Sequence, residues 1–344
     1  MQPAVRVAFA GVRVSGSGRI MGSRLALAGL MMLCLTAQGR CAEQGRFHRL
    51  DTQAAVKKLV QNGSADALAA AALLKQMGAD TDTGAYALSA HAVQLAPGRA
   101  ELAWLAVRMC DTSDSCDARQ TEQHLRAVDP GNAAGWVGEL GRAQRRNDPV
   151  AIDAALDAIG KAQAFRVYFE PLVVATTQQL IAIWGTGENK PSASARASMT
   201  MTMIGVVAGA VLPGTRIFSY SCQGYELQVN GRRARCQSAA QVIERSDAYI
   251  VEGLGLSLQQ KLWPEDTPEY AAISERRRIF QYRLEEYNQL PVSSSRPAEF
   301  PADYLDVARH HVREQDVALV YLERAQIPPQ PPPGWVSAER PRVP

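Results

Sequence analysis

The apolar residues between positions 52 and 165 are spaced as in amphipathic helices. Apolar side chains recur at i, i+3 and i+4 through this alanine-rich stretch, with polar residues between them. The helical runs end at stop signals, with glycines closing AAVKKLVQNG and ADALAAAALLKQMG and a Pro-Gly pair closing DTGAYALSAHAVQLAPG. The pattern therefore predicts successive helices joined by short turns.

Helical spacing continues beyond this stretch in longer units. FEPLVVATTQQLIAIWG predicts a buried helix, and EYAAISERRRIFQYRLEEYNQL predicts a long charged one. EGLGL, at 252–256, predicts a bend between helices. We expect a linker at 186–196, a helical region over 197–290, a helical pair at 301–326 and a proline-rich disordered tail at 327–344. The predicted fold class is all-α with no substantial sheet.

Two prolines define an internal repeat. Pro97 and Pro130 lie 33 positions apart, and each follows a helical run and precedes a glycine. Repetition at this interval is typical of arrays of helix pairs. We therefore expect the chain from 50 to 185 to form such an array.

This stretch resembles the tetratricopeptide repeat family. The matching positions are Ala85, Ala92, Pro97, Trp136, Leu140-Gly141, Ala151, Ala155 and Ala158. Small residues there allow close helix packing, and an aromatic residue fills the adjoining gap. The resemblance implies a right-handed array followed by further helical hairpins, with Tyr86, Trp104 and Trp136 either packed between repeats or bordering a groove. A generic alanine-rich bundle is the alternative.

A second apolar run, RASMTMTMIGVVAGAVLPG, has the composition of a membrane span. Its uninterrupted apolar part, 203–212, is shorter than the roughly 20 residues that a span needs. Gly205 and Gly209 predict tight packing inside a globular core. We therefore expect no membrane span in the mature chain.

The N-terminal segment has the order of a secretory signal. Arg24 precedes the apolar run LALAGLMMLCLTA, and small residues follow it. We expect a signal peptide over 1–39, with Met21 as an alternative start, and a mature chain that begins at Arg40. The expected location is periplasmic or secreted.

The positive charge of the chain is concentrated in this leader. Residues 1–39 hold four arginines and no acidic residue, so without them the formal charge of +3 becomes −1. A nearly neutral mature chain is not typical of a nucleic-acid-binding protein. The apolar fraction of 47% is enough to fill sizeable cores.

Four cysteines are spaced as two disulfides. Cys110 and Cys116 flank DTSDS, and Cys222 and Cys236 flank a polar stretch, as expected for an oxidising compartment. Four buried free thiols are the alternative, and Cys41 is left unpaired. Cys41 follows the apolar run, as a lipid-anchored cysteine would. Such an anchor requires small residues directly before the cysteine, and here Arg40 precedes it. The segment between 222 and 236 contains Asn-Gly and predicts either a hairpin or an interhelix loop.

No catalytic or cofactor motif is evident. None of the five histidines lies in a His-Glu-x-x-His motif, and no Gly-x-Ser-x-Gly or phosphate-binding loop occurs. We interpret Arg276, Arg277 and Arg278 as an ordinary charged helix face, and we expect no metal or cofactor.

These patterns favour an exported, non-catalytic helical-repeat protein that mediates protein–protein interaction with an unidentified protein or peptide in the cell envelope. The alternative is an envelope enzyme built in a helical bundle, with Glu139 or Glu170 near His124 acting as acid and base.

Overall fold

The alanine-rich half of the chain folds into successive helices that pack against their neighbours in sequence. The computed structural model describes residues 52–77, 84–111, 116–184, 190–214, 216–228, 231–294 and 296–337. The first seven helices are α1 (Thr52–Asn62), α2 (Ala65–Gln76), α3 (Gly84–Leu95), α4 (Ala100–Cys110), α5 (Ala118–Val128), α6 (Val137–Arg145) and α7 (Pro149–Lys161).

Short polar side chains start several of these helices. The side chain of Ser64 accepts a hydrogen bond from the first turn of α2, and Asp117 and Asp148 do the same for α5 and α7. Gly63 ends α1 with a φ of +69°, a left-handed conformation that glycine adopts readily. Glycine at the close of AAVKKLVQNG therefore acts as the predicted stop.

The second half of the chain closes over the first. Its helices are α8 (Phe169–Trp184), α9 (Ala193–Val211), α10 (Arg216–Ser221), α11 (Arg232–Glu244), α12 (Tyr249–Leu262), α13 (Pro268–Asn288), α14 (Tyr304–Arg309) and α15 (Glu314–Arg324). Short 3₁₀ helices occupy Ala133–Trp136, Gly224–Gln228 and Pro291–Ser293. Helix α8 packs on α2 and α9, whereas α11 packs on α7 and α12. No strand occurs within the described ranges, so the all-α prediction is confirmed.

Helix α2 lies at the centre of the N-terminal half. Every residue from Ala67 to Leu74 is buried, because α1, α3 and α8 all pack on it. A helix that is apolar on all sides is stable only when it is enclosed in this way. The alanines allow the three neighbouring helices to approach closely.

One non-helical segment, 163–168, links the two halves. Ala133 donates its amide N–H to the carbonyl of Ala164, and Asp247 donates its own to the carbonyl of Phe165. The Asp247 carboxylate accepts hydrogen bonds from the amides of Val167 and Tyr168, each at 2.8 Å. Asp247 thus fixes the segment from the other side of the fold.

Both predicted disulfides are confirmed. The Cα atoms of Cys110 and Cys116 lie 5.6 Å apart, and those of Cys222 and Cys236 lie 5.7 Å apart. Between the second pair, a 3₁₀ helix runs over Gly224–Gln228 and α11 begins at Arg232. In its described residues this segment is therefore an interhelix loop.

Two expectations about glycines are wrong. EGLGL does not bend the chain but lies inside α12. Gly255 has no side chain, which lets α12 pack directly on the backbone of α11. Gly205 and Gly209 face open space, with no atom within 4 Å of where a side chain would begin. The buried face of α9 is formed instead by residues such as Met203 and Val207.

Helix α9, with the residues that follow it, is long and apolar enough to cross a membrane. The stretch Ala193–Ser221 contains a window of mean hydropathy 1.5, of which 44% is buried inside the molecule.

Part of the proline-rich tail is packed rather than solvated. Residues 327–337, here called the strap, lie along α13, with the ring of Trp335 edge-on to Tyr282 at 5.3 Å. The Nε of Arg283 donates a hydrogen bond to the carbonyl of Pro329 at 2.8 Å. The expected disorder is therefore wrong for the strap, because the aromatic contact anchors it. Outside the described residues lie the leader 1–39 with Met21, the adjoining Arg40 and Cys41, and the C-terminal residues 338–344.

Candidate functional site

The three aromatic residues predicted to pack or border a groove do not form a common surface. Trp104 is only 1% exposed in α4 and is a core residue. Trp136 is half-buried, with the guanidinium of Arg126 at 4.4 Å from its ring centroid. The Tyr86 hydroxyl lies 3.4 Å from that of Thr121. This placement favours packing over groove lining.

The candidate acid and base residues occupy separate environments. His124 has its Nε2 buried, with no hydrogen-bond partner among the described residues. Glu139 accepts a hydrogen bond from Arg142 at 2.8 Å, which lowers its pKa. Glu170 accepts one from the Tyr304 hydroxyl at 2.9 Å. No hydrogen bond joins His124 to either carboxylate within the described chain.

A charged cleft opens where α11, α12 and α13 meet the residues that precede α15. Its outer part has a volume of about 690 Å³ and its inner part a volume of about 260 Å³. The two parts share four lining residues, namely Glu244, Glu252, Arg276 and Arg313. We call the whole feature the arginine cleft, and its inner part the inner pocket.

Two arginines of this cleft are held in ion pairs. Both carboxylate oxygens of Asp129 lie 3.0 Å from Nη1 of Arg166. Arg276 contacts Glu244 at 2.6 Å and the side chain of Gln259 at 3.1 Å. These pairs fix the walls of the cleft and leave little net charge there.

Three other arginines of the cleft, Arg245, Arg283 and Arg313, make no ion pair with a carboxylate within the described residues. Arg283 is half-buried, and its Nε donates a hydrogen bond to the carbonyl of Pro329. Arg245 is exposed, and its Nε donates a hydrogen bond to the carbonyl of Gln163 at 3.0 Å. Arg313 is also exposed, and its side chain makes neither an ion pair nor a hydrogen bond to any part of the chain that the structure describes. The cleft therefore presents two guanidinium groups to solvent.

The carboxylates of the cleft lie deeper than these arginines. Asp247 is 3% exposed, and burial raises its pKa to about 6, although the backbone amides of Val167 and Tyr168 act in the opposite direction. Burial likewise raises the pKa of Glu252, whose carboxylate accepts a hydrogen bond from Gln315 at 2.6 Å. The surface of the cleft is consequently more positive than its interior.

Two further carboxyl groups lie behind Asp247. Glu314 accepts a hydrogen bond from the amide of Tyr249 at 2.8 Å, and burial together with the charges of Asp247 and Glu252 raises its pKa to about 7. Glu170 is fully buried, and burial together with the charge of Glu314 raises its pKa to about 8. Neutral carboxyl groups are thus part of this core at mildly acidic pH.

Two buried polar side chains that line the inner pocket keep an atom without a partner. The residues Tyr249 and Gln315 are 5% and 6% exposed, and neither the Tyr249 hydroxyl nor Oε1 of Gln315 has a hydrogen-bond partner in the described structure. Buried polar groups are normally paired. The apolar wall of the pocket consists of Leu256, Ile279, Phe280 and Leu319, and the ring of Phe280 lies edge-on to that of Tyr249 at 5.7 Å.

This cleft escaped prediction from sequence because its residues are scattered. Arg278 of the arginine run pairs with Glu275 on one helix face, as expected, whereas Arg276 reaches across to α11. Arg245 and Arg313 stand alone in the chain and carry no local signal.

No group of three or more histidine, cysteine or acidic side chains in the described part of the chain is arranged to hold a metal ion. No protein-family model, curated protein or solved structure matches this chain.

Proposed function

We propose that this protein is an exported helical scaffold that binds an acidic segment of a partner protein in the arginine cleft. The observation that carries the proposal is the exposure of Arg245 and Arg313, neither of which forms an ion pair with a carboxylate of the described residues. Guanidinium groups bind carboxylates through paired, charge-assisted hydrogen bonds. A partner's acidic residues would supply the missing counter-charges.

Two observations support export. The disulfides at Cys110–Cys116 and Cys222–Cys236 persist in oxidising compartments. The leader has the order of a signal peptide, which an enzyme of the export machinery would remove. We also propose a tetratricopeptide-like repeat for the N-terminal half, because Pro97 and Pro130 both follow a helix end in equivalent turns.

One observation favours an enzyme as the second candidate. Asp247, with a pKa of about 6, lines a cleft together with Glu252, and paired acids of this kind act in general acid–base catalysis. However, both Asp247 oxygens accept backbone hydrogen bonds that hold segment 163–168. Because both oxygens already hold the backbone of this segment, we favour binding over catalysis.

The test is affinity capture from the protein's own cell envelope with three baits. We expect the wild type and Arg119→Gln to retain the same partner, and the double variant Arg245→Gln/Arg313→Gln to lose it. Arg119 is a matched control, because it is an exposed arginine on α5 that lies outside the cleft. Mass spectrometry of the wild-type bait should place its N-terminus near Arg40.

Equal capture by the double variant would reject the cleft as the binding site. Turnover of a small molecule by the purified protein, without any captured partner, would favour the enzyme instead.

A further inference from the structure

We infer that the inner pocket binds the C-terminal residue of a polypeptide, with its carboxylate on Arg313 and an apolar side chain against the wall formed by α12, α13 and α15. This inference rests on the proposed function and names the part of the partner that enters the cleft. Three features of the pocket support it.

The first feature is the charge at the pocket entrance. Arg313 lines both parts of the cleft and has no ion pair within the described residues. A terminal carboxylate can accept two hydrogen bonds from one guanidinium group. Three carboxylates, those of Glu244, Glu252 and Asp316, line the pocket opposite in sign to its three arginines, Arg276, Arg283 and Arg313. The pocket therefore favours a ligand group with a single negative charge over one with several.

The second feature is the unpartnered polar pair. Oε1 of Gln315 can only accept a hydrogen bond, and the backbone N–H of a terminal residue is a donor. The Tyr249 hydroxyl can donate to a carboxylate oxygen. The terminal residue of a polypeptide carries both groups on the same Cα. Both buried atoms are shielded from solvent in the described structure, so neighbouring side chains must shift for such a residue to reach them.

The third feature is the apolar wall and its size. Ile279, Phe280 and Leu319 face a volume of about 260 Å³, just below the range of pockets that hold whole drug-sized ligands. Such a volume suits one aliphatic side chain rather than an extended segment. Residues that precede it in the partner would lie in the outer part, beside Arg245.

The test uses two fluorescein-labelled pentapeptides, Glu-Glu-Ala-Glu-Leu with a free C-terminal carboxylate and the same peptide with a C-terminal amide. Fluorescence anisotropy with the full mature chain measures their affinities. We expect the amide to bind at least tenfold more weakly, because it lacks the charge that Arg313 recognises. The free acid N-acetyl-leucine, added as an unlabelled competitor of the acid peptide, tests whether the outer contacts contribute.

The variants separate the two parts of the cleft. Arg313→Gln should lower the affinity for the acid peptide about tenfold and change the affinity for the amide peptide little. Arg245→Gln should weaken both peptides equally, and Arg119→Gln should affect neither. Glu252→Gln should tighten the acid peptide several-fold, because it removes a nearby negative charge. The unfolding midpoint of each variant shows whether it keeps the fold.

If the protein binds the acid and the amide peptide with equal affinity, the inference is overturned. If Arg245→Gln then weakens both peptides, the proposed function still stands. Absence of binding by either peptide would contradict both proposals. N-acetyl-leucine that binds as tightly as the pentapeptide would overturn a polypeptide as the source of the carboxylate.

Discussion

Two tryptophans of the N-terminal half differ in burial, and we expect them to differ in their contribution to stability. Trp104→Ala should lower the free energy of unfolding by about 3–5 kcal/mol, because the ring is enclosed in the core. Trp136→Ala should cost about 1–2 kcal/mol, since its ring is half-buried and lies against the guanidinium group of Arg126. Urea denaturation monitored by circular dichroism measures both.

Trp104→Phe is the matched control. Its indole N–H has no hydrogen-bond partner among the described residues, so phenylalanine keeps most of the buried ring and removes that unpaired donor. A larger loss for Trp136→Ala than for Trp104→Ala would contradict the assignment of Trp104 to the core.

Individual residues were predictable where their signal was local. The cysteine pairs are close in sequence, so spacing alone identified them. The unusual surroundings of Asp247 and Gln315 arise from contacts with distant parts of the chain, such as Val167 and Glu252. No local pattern encodes such an environment.

At the level of elements, the strap stabilises the long helix α13. We expect Trp335→Ala to lower the free energy of unfolding by about 1–2 kcal/mol, because it removes the aromatic contact with Tyr282. Val336→Ala is the control, since Val336 is 65% exposed beside it. Urea denaturation compares the two variants, and equal stability of both would show that the aromatic contact does not hold the strap.

Helix positions followed from periodicity, but helix partners did not. The stop signals gave correct ends for α1, α2 and α3, because glycine and proline act on the local backbone. Gly209 and Gly255 have the same local signal, yet one faces solvent and the other touches a neighbouring helix. Which face of a helix meets a neighbour depends on tertiary packing.

At the level of the whole molecule, stability should fall as the pH rises from about 5 to 8. The folded-state pKa values of Asp247, Glu314 and Glu170 are raised to about 6, 7 and 8. The folded state therefore retains protons that the unfolded state has already released, and this advantage is lost as the pH passes each folded-state pKa. Each group lowers the free energy of unfolding by about 1.4 kcal/mol per pH unit between its unfolded-state pKa and its folded-state pKa.

Glu170→Gln should reduce this decrease by about 3 kcal/mol between pH 5.5 and 8.5, because glutamine cannot ionise in the core. The measurement is urea denaturation at both pH values. Glu265→Gln, at an exposed position, should keep the wild-type decrease. An unchanged pH dependence in Glu170→Gln would show that this carboxyl group is not the source.

The fold class was predictable at this scale, whereas the site was not. Periodicity over the whole chain is a sum of many local signals, which is why the all-α architecture could be read directly. The arginine cleft draws residues from between Ala164 and Leu319, and only the packing of the linking segment, α11, α12, α13 and α15 on one another brings them together.

The burial of the second disulfide, Cys222–Cys236, bears on when this bond forms during folding. Cys222 and Cys236 are 4% and 1% exposed, so packing of α10 and α11 shields their sulfur atoms from oxidants and thiol reagents. We therefore expect the bond to form before the helices close. A chain that completed its folding among reductants would seal two thiols inside and carry them unoxidised wherever it went afterwards.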